Sequence, residues 1–79
     1  MAYYKIRTFL APTEDPAFDL TIPGGGVAPA SGIFRCIGCT KEIIAFKDTA
    51  LPFDGEHPHS SSQGAVRWRL VVAPDAEGA

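Results

Sequence analysis

Hydrophobic and polar positions alternate most regularly in residues 66–72 of the chain. Four apolar residues of this run share one face, and both arginines share the other: Val66, Trp68, Leu70 and Val72 against Arg67 and Arg69. A period of two residues is typical of a strand with one buried face. The pattern therefore predicts a strand here, with the tryptophan in the core and both arginines in solvent.

Four further segments are predicted as strands, and Gly- and Pro-rich turns separate them: 3–10, 18–22, 33–36 and 42–47. The first is rich in aromatic and β-branched residues, so Tyr3, Tyr4 and Phe9 are expected in the sheet and core. No segment shows a helical period, and the seven Pro and eight Gly exclude a long-helix bundle. The sequence predicts an all-β fold, a small antiparallel sheet packed as a compact sandwich or incomplete barrel.

The chain of 79 residues has room for a single domain. We expect this domain to span residues 1–73, with N-terminal strands within 3–22 and a ribbon over 31–72, followed by a disordered tail, 74–79. A core of this size is marginal, and domains this small often need a disulfide or a metal to stabilise them.

Charge and hydropathy exclude several classes of function. The net charge of −2 gives no general attraction to nucleic acid or to an anionic membrane. No apolar run is long enough to span a bilayer, and the first residues lack the pattern of a signal peptide. We therefore expect a cytoplasmic protein with no membrane partner, in which a lone structural disulfide is improbable.

The two cysteines, Cys36 and Cys39, have the spacing of a zinc knuckle. Gly38 between them can take a positive φ, and a tight turn between two predicted strands would direct both sulfur atoms into one concavity. A tetrahedral structural site needs two more nitrogen or sulfur ligands. The remaining ligands must therefore be sought among the histidines.

Both histidines, His57 and His59, lie in the long predicted loop 48–65. The spacing from Cys39 to His57 is close to that of known Cys-His zinc sites. Pro58 favours an extended chain, in which the two histidines project to the same side, although zinc-finger histidines are usually farther apart and helical. The sequence predicts one structural Zn²⁺ bound by Cys36, Cys39, His57 and His59, with two thiolates balancing its charge.

The chain also resembles a family of small bacterial zinc β-ribbon proteins of unassigned function. The resemblance covers 31–72 and rests on Ser31-Gly32-Ile33-Phe34-Arg35-Cys36, Cys39, Leu51-Pro52, the two histidines and Arg67-Trp68-Arg69-Leu70. Thr40 departs from the pattern, since many zinc knuckles carry Gly at this position. The resemblance implies a zinc-ribbon fold and a metal ligated by the two cysteines and the two histidines, but no activity.

Elimination favours a protein-interaction or adaptor module over an enzyme. A redox role for the Cys-x2-Cys pair is a weaker alternative, because the residues after Cys39 favour a strand over the helix that lowers a thiol pKa. A catalytic zinc would need an open coordination position, in which case Glu56 becomes the candidate base. Arg67 and Arg69 leave a nucleic-acid-binding ribbon as a further alternative, weakened by the predicted burial of Trp68.

Overall fold

The protein folds around one antiparallel sheet of four strands, as shown by a computed structural model that describes residues 1–53 and 64–74. The strands are β1 (Ile22–Pro23), β2 (Gly32–Cys36), β3 (Glu42–Ala45) and β4 (Arg67–Val72). Their order in the sheet is β1-β4-β2-β3, and the sheet does not close into a barrel. The predicted all-β class, with a small antiparallel sheet, is confirmed.

Strand β4 lies inside the sheet, although it is the last strand in the sequence. It pairs with β1 on one side and with β2 on the other, where Leu70 is opposite Phe34 and Trp68 is opposite Cys36. Trp68 and Leu70 are buried while Arg67 is exposed, as the two-residue period predicts. The alternation therefore determines which face of β4 contributes to the core.

The core lies on one face of this sheet and includes residues from the loops. Its buried residues are Ile22, Ala28, Phe34, Cys36, Ala45, Leu51, Val66, Trp68 and Leu70. The indole Nε1 of Trp68 donates a hydrogen bond of 2.8 Å to the carbonyl oxygen of Pro52. The largest core side chain is therefore satisfied by the backbone of the segment that follows Leu51.

The junction of β2 and β4 contains an irregularity that requires glycine. The register shifts between Ile33, which is opposite Val72, and Phe34, which is opposite Leu70. A Cβ atom at Gly32 would collide with the carbonyl oxygen of Val72. Gly32 is therefore needed because the two backbones approach each other too closely for any side chain.

The N-terminal segment is not the strand predicted over 3–10. It contains a short 3₁₀ helix, Arg7–Phe9, and pairs with no strand among the described residues. Tyr3 is 93% exposed and Phe9 is 80% exposed, so the expectation that they belong to the core is wrong, as it is for Tyr4. Aromatic and β-branched residues favour a strand only where a neighbouring strand and a buried face are available.

The strand predicted over 18–22 is also wrong, except at its last residue. A 3₁₀ helix, Pro16–Asp19, occupies most of it, and β1 begins only at Ile22. The side chain of Asp15 accepts a hydrogen bond from Ala17 N (2.9 Å), and Pro16 is the first residue of the helix. An acidic N-cap followed by proline favours a helical turn, and here this preference prevails over the alternation of apolar residues.

Two further expectations concern a membrane-spanning segment and the C-terminal tail. Among the described residues, no helix has the length and apolar character needed to cross a bilayer. Residues 75–79 of the predicted disordered tail lie outside the described residues. The tail therefore stays a prediction.

Candidate metal centre

The two cysteines lie at the turn that joins β2 to β3. Cys36 is the last residue of β2, Cys39 belongs to the turn, and the two residues are close together. Cys36 N donates a hydrogen bond to Lys41 O (2.8 Å), and Thr40 N donates to Cys36 O (2.9 Å). The predicted tight turn between two strands is confirmed, and its backbone bonds hold the cysteines in place.

The residue with positive φ in this turn is Thr40, whereas the sequence pointed to Gly38 for this conformation. Thr40 has a φ of 66°, and Gly38 is not among the described glycines with positive φ. The hydrogen bond from Thr40 N to Cys36 O spans five residues, and such a turn is completed by a residue in the left-handed region before the next strand begins. This is the position at which the sequence departs from the Gly of many zinc knuckles.

Replacing Thr40 with glycine is expected to stabilise the protein. A β-branched residue is strained at positive φ, and relief of this strain exceeds the added chain entropy of glycine. We expect Thr40→Gly to raise the free energy of unfolding by about 0.5–1 kcal/mol, measured by urea denaturation.

A matched control for this substitution is Asp48→Gly. Asp48 also has a positive φ, 69°, but aspartate tolerates this conformation better than threonine. Its replacement should therefore stabilise the protein less than that of Thr40. A gain at Asp48 equal to the gain at Thr40, or a loss at Thr40, would show that the turn is not strained.

The turn that carries the two cysteines is also attached to β4. This attachment fixes the environment of both sulfur atoms. Ile37 N donates to Arg67 O (2.9 Å) and so continues the contact between β2 and β4 beyond Cys36. Cys36 is completely buried, whereas Cys39 is half-buried and packs against the edge of the core. The thiols therefore lie where the core meets the surface, an environment that suits a structural metal.

The chain on both sides of residues 54–63 is bound to the same part of the sheet. Gly25 N donates to Leu51 O (2.9 Å), and Gly24 N donates to Val66 O (3.0 Å). A Cβ atom at Gly24 would be 2.9 Å from Phe53 Cα and 3.3 Å from Val66 Cβ, so these two flanking residues approach the same glycine. The described ends of this segment are thus held together beside β1.

The two predicted histidine ligands, His57 and His59, lie outside the described residues, as does Glu56. Within residues 1–53 and 64–74, no group of three or more His, Cys, Asp or Glu side chains could hold a metal ion. The structure therefore brings Cys36 and Cys39 together and leaves the other half of the predicted ligand set as a prediction.

The arginines of β4 have the exposure that the sequence predicts, but the sequence reasoning missed a third arginine beside them. Arg69 donates from Nε to Phe18 O (2.7 Å) and lies 3.5 Å from the Asp19 carboxylate. Arg35 of β2 is the cross-strand partner of Arg69. The alternation of β2, with Phe34 and Cys36 inward, could have placed Arg35 on the outer face, but only the register shows which residue it meets.

Comparison with known proteins gives a partial match. A protein of Escherichia coli named "Protein L" is 43% identical over 56 residues, which is 71% of this chain and 62% of that protein. The chain thus spans 62% of the length of this relative. No protein-family model matches the chain, and no solved structure matches it. The name of this relative states neither a ligand nor a reaction.

Proposed function

We propose that the protein is a zinc-stabilised protein-interaction domain in which Cys36, Cys39, His57 and His59 bind one structural Zn²⁺. The observation that supports this most directly is the turn between β2 and β3, which holds two cysteines together through backbone hydrogen bonds. We also propose that the protein is related to the zinc β-ribbon proteins that its sequence resembles. The proposal also includes a cytoplasmic location, where cysteines remain reduced and available to a metal.

The chemistry of the four side chains suits zinc. Two thiolates and two imidazoles form the usual tetrahedral set of a structural zinc site. Two thiolates also neutralise the charge of Zn²⁺, so a site next to the buried Cys36 would carry no uncompensated charge. Four protein ligands leave no open coordination position, which favours a structural role over a catalytic one.

The path of the chain on either side of the histidines supports the same ligand set. Pro52 accepts the indole hydrogen bond of Trp68, and Trp68 is the cross-strand partner of Cys36. Four residues of chain reach at most about 14 Å, and His57 is four residues beyond Phe53. Because Phe53 follows Pro52, which contacts the cross-strand partner of Cys36, we propose His57 and the neighbouring His59 as the remaining ligands.

The redox alternative has less support. Reactive cysteines in redox motifs are partially exposed and lie at the start of a helix. Here Cys36 is completely buried and Cys39 is partly exposed, but the residues after the turn form strand β3 and not a helix. These observations favour metal binding over dithiol exchange.

The test is metal analysis of protein purified without added zinc. We expect one zinc per chain in the unmutated protein and less than about 0.2 per chain in Cys36→Ser and in His59→Ala, because removal of one structural ligand weakens zinc binding severely. Lys5→Ala, at an exposed position, is the control and should retain its zinc. Less than half an equivalent in the unmutated protein would refute the proposal, and full occupancy in His59→Ala would remove His59 from the ligand set.

A further inference from the structure

The outer face of the sheet, opposite the core, gathers three of the chain's four arginines. Arg35 on β2 is directly opposite Arg69 on β4, and Arg67 lies two residues from Arg69 on the same face. Arg67 and Arg69 are exposed, and Arg35 is half-buried. We call these three residues the arginine cluster. Its concentration of positive charge contrasts with the net charge of −2 of the whole chain.

The arginine cluster is incompletely neutralised by the fold. Among the described residues, Arg69 contacts Asp19 at 3.5 Å, whereas Arg35 and Arg67 form no ion pair or side-chain hydrogen bond. Glu42, which is opposite Arg35, is engaged by the amino group of Met1. Like charges directly opposite each other destabilise a sheet. Arg69 thus also attaches the 3₁₀ helix that ends at Asp19 to β4, whereas Arg35 and Arg67 have no such contact among the described residues and are available to bind a partner.

A shallow apolar groove lies beside the arginine cluster on the same sheet. It has a volume of about 460 Å³, and its lining includes Tyr3, Ile33 and Ile44. Ile33 and Ile44 are cross-strand partners, and Ile44 is 76% exposed. Ile33 precedes Arg35 by two residues on β2, so the two side chains share a face about 7 Å apart. Ile33 can thus contact an apolar side chain while Arg35 contacts an acidic one. The distance between Ile33 and Arg35 matches that between residues i and i+2 of an extended peptide.

We infer that this surface binds an extended acidic segment of another protein. An apolar side chain of the segment enters the groove, and carboxylates two and four residues further along bind the arginine cluster. Guanidinium groups bind carboxylates through paired hydrogen bonds, which makes arginine better suited to this contact than lysine. The inference deepens the proposed protein-interaction role by specifying the chemistry of the partner.

The two arginine-bearing strands lack the exposed aromatic rings that are typical of nucleic-acid-binding sheets. Proteins that bind single strands combine positive charge with exposed aromatic rings on which bases stack. The aromatic residues of the two arginine-bearing strands are Phe34 and Trp68, and both are completely buried. The charged strands themselves therefore offer no stacking surface, and Tyr3, which is 93% exposed in the adjoining groove, makes oligo(dT) binding an outcome that the test must distinguish.

The test is a ¹H–¹⁵N chemical-shift titration of zinc-containing protein with a synthetic peptide of the pattern Leu-Ser-Glu-Ser-Glu, flanked by Gly-Ser. We expect saturable shifts in β2 and β4 with a submillimolar Kd at low salt. The double variant Arg35→Gln with Arg67→Gln should bind at least about tenfold more weakly. Arg35→Gln should unfold at a temperature no lower than that of the unmutated protein, because the substitution removes one of two opposed positive charges.

Two controls separate specific recognition from bulk charge. Arg7→Gln removes one exposed positive charge outside the cluster and should leave the Kd unchanged. A peptide with Gln in place of both Glu should not bind. Absence of saturable binding, equal weakening by Arg7→Gln and by Arg35→Gln alone, or tighter binding of oligo(dT) through the same residues would each overturn the inference.

Zinc analysis of every sample distinguishes this inference from the proposed metal site. If zinc is bound at one per chain and the peptide is not, the docking surface is wrong and the metal site stands. If the folded protein lacks zinc but binds the peptide through Arg35 and Arg67, the metal site is wrong and the docking surface stands.

Discussion

Removal of the proposed zinc is expected to unfold the protein. Structural zinc contributes about 10–16 kcal/mol of apparent binding free energy in zinc-finger peptides, whereas a whole small domain is stable by only about 5–15 kcal/mol. Treatment with excess chelator should therefore abolish the cooperative thermal transition at 25 °C and above. The fluorescence of Trp68 reports this directly, because it is the single tryptophan of the chain and is completely buried in the core.

The control for zinc removal is restoration of the metal. Adding one equivalent of Zn²⁺ after the chelator is removed should restore the transition, whereas Mg²⁺ should not, because it prefers oxygen ligands. Cys36→Ser should resemble the chelated protein before any treatment. An unchanged melting temperature in excess chelator, with the metal verifiably removed, contradicts a stabilising zinc.

Truncation of Trp68 should have the second largest effect. Trp68 fills the centre of the core, is opposite Cys36 and donates its indole hydrogen to Pro52 O. Trp68→Ala is expected to lower the free energy of unfolding by about 3–5 kcal/mol, through lost burial and the cavity that remains. The loss is measured by urea denaturation followed by circular dichroism, since the variant lacks the fluorophore.

Trp68→Phe is the matched variant that separates the ring from its hydrogen bond. Phenylalanine keeps most of the apolar contact but leaves Pro52 O without its donor, so the loss should be about 1–3 kcal/mol, smaller than for alanine. A loss below 1 kcal/mol for Trp68→Ala contradicts the central position of this residue in the core.

The sequence predicts the central part of the fold well, for reasons visible in the residues themselves. Over residues 66–70 the apolar residues lie on one face only, and such an alternation is typical of a strand with one buried face. The hairpin of β2 and β3 is predicted because two short β-rich segments flank a Cys-x2-Cys turn. The two cysteines of the candidate site are brought together by this local hairpin, so their proximity needs no information about the rest of the chain.

The remaining features depend on partners that are distant in sequence. The aromatic content of 3–10 predicts a strand, but no strand among the described residues pairs with it. Thr40 takes the positive φ because hydrogen bonds on both sides of the turn require it there, against the preference of the residue itself. The position of Arg35 opposite Arg69 depends on strand register, which alternation alone does not specify.

The position of β4 between β1 and β2 has a consequence for the order of folding. The hairpin of β2 and β3 can form from neighbouring residues, but its buried side, with Phe34, stays exposed to water until β4 arrives. Pairings between residues distant in sequence are slow to form because a long loop must close first. The rate-limiting step of folding should therefore be the insertion of the last strand into its place between β1 and β2.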